Sequence, residues 1–344
     1  MTSTGLLSGR RTTRRDLRFD AVRGVALIAM YLAHCAPSAG PGNVIELTEY
    51  ATYPLFALLV GVGAELGRRS TASPWWVGPL VCGAALLVMA QVLEQLITQV
   101  WIVLAFLGVL TWLAAPLARA GTAWVAGVGV AALLLAPWLN GLDVSGTLDQ
   151  PGGLRTFHLV RFLVVGGPDV NGPYQLASMV FFAAIGILLT RHLLDGPALR
   201  VGLLAAVATG VGAALYKTGA LVMLPYHVTL KVLVFDAVLI VAITLLGAVL
   251  AGRLPGLAAP LAAAGSMSLT LYSLQILWLW YDVTHLHPGA VDDSWLNVLI
   301  LTVGSLVIAL VWRAVVRIDP WRRGPLEGPV AAVVSALTRK AARA

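Results

Sequence analysis

Charge is what this chain has least of: 11% of its 344 residues are Asp, Glu, Lys or Arg, where a soluble domain carries about a quarter. With 59% of the residues apolar, a water-soluble core cannot use all the apolar surface. Apolar segments of about 20 residues, each able to cross a bilayer core of about 30 Å, dispose of it instead. Cysteine is also scarce. Cys35 and Cys82 fall at different depths in the spans drawn below, so no disulfide is expected. The chain has no Gly-x-x-x-x-Gly-Lys phosphate loop, no His-Glu-x-x-His and no Gly-x-Ser-x-Gly, which removes the sequence signs of a P-loop enzyme, a zinc protease and a serine hydrolase. It shows no internal repeat, which argues against a transporter built from repeats. The net charge of +7 is spread over short inter-helix segments rather than one stripe, so nucleic acid is not an expected partner.

What the chain does have is a series of apolar runs. The spans fall roughly at 20–37, 50–67, 75–97, 100–118, 122–140, 174–190, 199–216, 229–250, 262–282 and 295–316, giving one all-α polytopic bundle of about ten transmembrane helices. With both termini in the cytoplasm, all of the 23 Lys and Arg except Arg155, Arg161, Lys217 and Lys231 lie on or near the cytoplasmic side, as the positive-inside rule requires. Thr98 and Gln99 alone separate spans three and four, and the parity depends on their being two helices. The organisation read this way is a basic cytoplasmic segment 1–19, a bundle 20–318 with a long outer loop 141–173, and a basic tail 319–344. The loop holds Asp143, Asp149, His158, Arg161 and Asp169 and is too long for a mere connector. The tail is expected to lie as a surface helix near anionic lipid. Arg14-Arg15 before an apolar run looks like an export signal, but Asp20 and Arg23 interrupt that run, so residues 20–37 are read as a retained helix.

Helix one carries the most information. Asp20, Arg23, Leu27, Tyr31 and His34 are three or four residues apart and form one stripe at 100° per residue. Ionisable groups on such a stripe face protein or water, not lipid. A structural role serves equally well: Asp20 and Arg23 anchor the helix at the surface and His34 bonds to a neighbour. His34 stands about 21 Å above Asp20 at 1.5 Å per residue, too far for that carboxylate to orient it. Asp236 in helix eight, at a similar depth, is the first candidate partner, and Glu94, beside Gln91 and Gln95, the second. Ser268, Tyr272 and Gln275 share one face of helix nine, a pattern that interhelical bonding explains and that also suits a cavity lining. His285 and His287 with Asp282 and Asp292 make only a weak metal-ligand pattern, and no metal is expected.

The run Arg18-Phe19-Asp20-Ala21-Val22-Arg23-Gly24-Val25-Ala26, followed by His34, resembles the opening helix of transmembrane acyltransferases. The acyltransferase-three family has a His assigned to catalysis at the position His34 matches; the heparan-α-glucosaminide N-acetyltransferase family and its YeiB-like bacterial relatives commonly have Asn. Pro54-Leu55-Phe56 with Gly61, Gly265-Ser266-Met267-Ser268-Leu269-Thr270-Leu271-Tyr272 and Arg323-Gly324-Pro325-Leu326-Glu327 resemble later parts of the YeiB-like proteins. The chain departs from the pattern in two places. Residues 35–49 hold no His, where the heparan-type enzymes are thought to use one, and helix three has no Arg-x-x-Arg.

The resemblance implies a bacterial inner-membrane acyltransferase that takes an acyl group, acetyl first of all, from cytoplasmic acyl-CoA to a hydroxyl or amine of an envelope sugar or lipid-linked acceptor. His34 would be general base or acyl carrier, with Asp236 orienting it. Arg23, beside Asp20, would attract the CoA phosphates, while Glu94, Tyr272 and Gln275 would line the substrate site. The rival expectation is a proton-coupled transporter or flippase with His34 and Asp236 as its relay. A non-catalytic scaffold is the third, and the ionisable stripe speaks against it.

Overall fold

The computed structural model describes residues 17–37, 45–69, 74–96, 98, 100–140, 174–193, 198–288 and 293–341. The loop 141–173, the first sixteen residues and Asp292 lie outside them, and with them the expectations placed there. Every regular element among the described residues is helical. In chain order these are α1 (Leu17–Cys35), α2 (Leu47–Arg69), α3 (Val77–Leu93), α4 (Leu104–Leu117), α5 (Thr122–Asn140) and α6 (Leu176–His192). After them come α7 (Ala198–Lys217), α8 (Leu230–Arg253), α9 (Pro255–Ser266), α10 (Ser268–Tyr281), α11 (Trp295–Val315) and α12 (Glu327–Ala341).

Five of these helices are long and apolar enough to cross a membrane, namely α2, α5, α7, α8 and α11, or six if α9 and α10 form one bent span. The shorter α3, α4 and α6 are also apolar. Burial separates two kinds of long helix. About two thirds of the apolar window of α2 and of α8 is covered by other helices, whereas α5, α7 and α11 have 22% covered. The outward residues of these three, such as Leu134, Trp138, Leu204, Val207 and Val311, are apolar too. A helix apolar on its covered and uncovered faces alike suits lipid rather than water. The fold is that of an all-helical membrane protein.

Close packing rests on glycine. α1 packs on α9, α2 on α6, and α3 on α4, and in each pair a glycine lets backbone meet backbone. A Cβ on Gly265 would fall 1.8 Å from the Asp20 carbonyl oxygen, one on Gly61 2.0 Å from that of Ala183, and one on Gly83 2.7 Å from that of Gly108. Small residues at such crossings bring helices together where apolar burial alone gives no preference. The Gly83–Gly108 contact, with Trp112 Nε1 donating to the Leu80 carbonyl at 3.2 Å, also shows α3 and α4 side by side as two helices rather than one broken one.

Span nine departs from the expectation of one helix over 262–282. α9 and α10 meet at Met267 with a bend of 71°. The exposed backbone at the break is satisfied from elsewhere in the chain. Glu327, at the start of α12, accepts from the Thr270 backbone N–H at 3.0 Å and from the Thr270 hydroxyl at 2.6 Å. Leu326 N–H donates to the same hydroxyl at 3.2 Å, and Arg313 of α11 donates to Ser266 Oγ at 2.9 Å. The freed N–H groups of a new helix start thus receive a carboxylate, which the helix dipole also favours. Gly324, at φ 142° in the approach to α12, makes the turn that brings Glu327 back, a conformation closed to other residues. The two late segments singled out in the sequence are therefore the two halves of one contact. The tail helix expected at the surface is α12, and it rests on α3.

Candidate functional site

The bundle has a basic end, built around Glu65. This carboxylate is fully buried near the end of α2 and is bonded by Arg68 at 2.6 Å, Arg69 at 3.4 Å and, from α6, Arg191 at 3.0 Å. Arg191 also donates to the Ala118 and Ala120 carbonyls, and Arg69 to that of Thr190 at 2.6 Å. The cluster ties the ends of α2, α4 and α6 into one plate. In the sequence Arg68, Arg69 and Arg191 read as orientation signals, and Glu65 does not stand out. The available signal was a lone acid three and four residues before two arginines in an apolar helix.

Asp20 and Arg23 lie at the same end. Arg23 Nη1 bonds Asp20 Oδ1 at 3.1 Å, with Asp20 buried and Arg23 partly open. The pair sits where α1 crosses α9, so it is held in place by the Gly24 and Gly265 approach. Arg23 also lies against Gly63 of α2, and the charges of Arg23 and Arg323 both act on Cys82 of α3. Two segments distant in sequence thus bring a guanidinium group each within electrostatic range of Cys82.

At the opposite end stands His34. It is partly buried. Its ring has a partner: Nδ1 lies 2.8 Å from Nε2 of Gln275 in α10. Gln275 is fully buried, and its Oε1 has no partner among the described residues. One turn earlier on α10, the Tyr272 hydroxyl accepts from Val103 N–H at 3.4 Å, with Tyr174 and Glu94 in electrostatic range.

Asp236 is in a different setting from the one assigned to it. It is buried in α8, its charge acts on Tyr50, Tyr53 and Tyr226, and its Oδ1 is unpartnered among the described residues. The hydrogen bond of His34 goes to Gln275 instead. Glu94 is exposed at the end of α3 and accepts from Gln91 at 3.1 Å, so it reaches Tyr272 only through its field. Of the residues read from the sequence, the structure joins His34 to Gln275 and Asp20 to Arg23, and it puts Asp236 among tyrosines.

Those tyrosines form a cluster that sequence reasoning missed. Tyr53 contacts Tyr174 at 5.6 Å edge to face and Tyr226 at 6.4 Å stacked, while Tyr174 also meets Phe106 at 5.9 Å. The cluster leads from Asp236 across to Tyr272, one turn from Gln275. Beyond it, a polar chain pins the ends of α10 and α11. Trp278 donates to Asn297 at 3.0 Å, Asn297 to Asp282 at 2.8 Å, and His287 lies 2.8 Å from Asp282. Among the described residues no group of three or more His, Cys, Asp or Glu is arranged to hold a metal ion. No protein-family model matches this chain, and no curated protein matches it.

Proposed function

We propose that this chain is a membrane-embedded acyltransferase of about ten spans with both termini in the cytoplasm, taking an acyl group from acyl-CoA at the basic end to a hydroxyl or amine acceptor at the tyrosine end. The observation that carries the reading is His34: a partly buried histidine within the bundle, held through one ring nitrogen by the fully buried Gln275. For His34 to act as base at Nε2, the Gln275 amide must present Oε1 to Nδ1–H, the mirror of the contact with the amide nitrogen on Nδ1; the two amide orientations have the same shape. In this state Gln275 fixes the tautomer and orientation of the ring, the part an acid would play in a triad. Nε2 then takes the proton of the acceptor as its oxygen or nitrogen attacks the thioester carbonyl, and the CoA thiolate leaves.

The donor end fits the same scheme. Arg23 and Arg323 supply two cations for CoA phosphates. Arg23 and His34 are eleven residues apart on α1, about 16 Å at 1.5 Å per residue, a gap that an extended pantetheine arm bridges. The acceptor class, an envelope sugar or a lipid-linked relative, rests on the resemblance of helix one to the acyltransferase families. Purified protein mixed with labelled acetyl-CoA and sugar acceptors tests the proposal: CoA release that depends on acceptor supports it, and none with any acceptor class rejects it.

A second reading has its own support. The break between α9 and α10 and the buried Asp236 are features of transporters that bind substrate at a discontinuous helix. A proton-coupled transporter would move substrate into vesicles in response to a pH gradient and would yield no acyl product.

A further inference from the structure

The basic end carries more positive charge than its own structure uses. Four guanidinium groups, those of Arg68, Arg69, Arg119 and Arg191, stand at the ends of α2, α4 and α6 around one carboxylate, Glu65. The C-terminal dipoles of the three helices each offset about half a charge, which leaves an excess of about one and a half positive charges.

The four do not share one task. Arg191 is inside the plate, and its bonds to Glu65 and to the Ala118 and Ala120 carbonyls occupy it. Arg68 and Arg69 also reach Glu65, but their side chains are 40% exposed. Arg119 differs again. It follows α4, is half-buried, donates to the Ala115 carbonyl at 3.0 Å and has no carboxylate partner among the described residues. The charge of Arg68 acts on it, a like-charge approach that an anion bridging the two would relieve.

Aromatic residues fix the depth of this patch. The Arg119 guanidinium lies 3.9 Å above the Trp75 ring, a stack that holds the group in place and leaves in-plane N–H groups for other partners. Trp75 and its neighbour Trp76 are exposed, and so is Trp124 in the first turn of α5. Thr122 Oγ1 lies 3.3 Å from Nε2 of His192, so the start of α5 stands beside the end of α6, against the plate. Exposed tryptophan at the end of an apolar helix sits at the headgroup level of a bilayer, its ring toward the chains and its N–H toward water. Two separate features thus meet: an excess of guanidinium charge and the aromatic residues that mark the depth of lipid phosphate.

We infer that Arg68, Arg69, Arg119 and Trp75 form a binding site for the headgroup of an anionic phospholipid. Arg119 and Arg68 bridge the phosphodiester, whose oxygens their planar forks match, and the acyl chains run along the uncovered apolar face of α5. A zwitterionic headgroup brings a cation of its own and is less favoured. The site does not depend on the transferase reading.

The test is native mass spectrometry of the full chain in detergent with equal amounts of dioleoyl phosphatidylglycerol and dioleoyl phosphatidylcholine, which share their chains and differ in charge. The expected result is one phosphatidylglycerol retained per chain, about tenfold over phosphatidylcholine. Arg119→Gln leaves every bond to Glu65 in place. It should lower that retention about fivefold, the contribution of one basic side chain near an anionic surface, and Arg119→Lys should recover most of it. Arg69→Gln removes the longest of the contacts to Glu65 and should act in the same direction, so the site is read even if Arg119→Gln does not fold. Arg253→Gln, at the end of α8 and outside the plate, should change nothing. The inference is overturned if both lipids are retained alike, if neither Arg119→Gln nor Arg69→Gln lowers retention, or if Arg253→Gln lowers it as much. Glycerol 3-phosphate, the phosphate without chains, should not displace the lipid at the same concentration; displacement would assign the patch to a soluble phosphate and overturn it as a lipid site.

Discussion

Gly265→Ala is the most severe small change the fold allows one to make, and its size follows from one distance. The added methyl would lie 1.8 Å from the Asp20 carbonyl oxygen, 2.7 Å from Gly24 N and 2.9 Å from Arg23 Cβ. Two of these three are backbone atoms, so no rotamer change relieves the contact. To reach ordinary contact at 3.4 Å, α1 and α9 must part by about 1.6 Å. Overpacking of this kind costs about 1–3 kcal/mol, and a clash on backbone belongs at the upper end. In a chain of this length that is an apparent melting temperature lower by roughly 5 °C. Gly210→Ala on α7 is the matched control, since nothing lies within 4 Å of its added methyl and alanine is the better helix former by about 1 kcal/mol. Thermal unfolding of both variants in one detergent makes the comparison. If Gly265→Ala melts with the control, the α1–α9 crossing is not as close as described, and the fixed position of Arg23 is lost with it.

The plate around Glu65 gives a second expectation. Glu65→Ala leaves Arg191, about 10% exposed, without its carboxylate, and breaking a buried pair costs about 3–5 kcal/mol; Arg191→Met in the same chain should recover part of this in the same unfolding assay, and no recovery would show that the pair is not what stabilises that end. Burial pushes the Glu327 carboxyl above its ordinary range, against the hydrogen bonds from Thr270. Its proton is therefore held more tightly with α12 docked than undocked, so docking is strongest below the ordinary carboxylate range and weakens as pH rises through the raised value. Hydrogen exchange of Thr270 and α12 across that range should show protection falling with pH, and Glu327→Gln should flatten the curve; a pH-independent wild type contradicts the account. Reporter fusions after Arg69, Arg119, Arg200 and Arg253 should read cytoplasmic, and a fusion between 283 and 293 external; the opposite pattern would reverse the topology proposed.

How much of this the sequence disclosed depends on whether the cause was local. Apolar runs and turn residues are local, so α2, α5, α7, α8 and α11 lie close to the spans drawn from them. The break at Met267 is not local: it depends on Glu327, 57 residues away from Thr270, and nothing within 262–282 records that contact. The partner of His34 shows another limit. Counting 1.5 Å per residue gives a depth for each residue but no bearing around the bundle, so a similar height points to Asp236 as a partner without showing on which side of α1 it stands. The face shared by Tyr272 and Gln275 was legible as a face, and the contact with His34 needed the packing of α10 beside α1. The tyrosine cluster draws on the starts of α2, α6 and α8 and on one turn, and no single segment contains its pattern.

The central claim is that His34, seated on Gln275, is the base of an acyl transfer. It is tested most directly by single-turnover CoA release from labelled acetyl-CoA, in wild type and in His34→Ala, with acetyl-CoA binding measured alongside. General-base assistance contributes about 10²- to 10⁴-fold, so the account predicts a loss of that order in His34→Ala with donor binding unchanged. A His34→Ala protein that binds donor and releases CoA at the wild-type rate would contradict it.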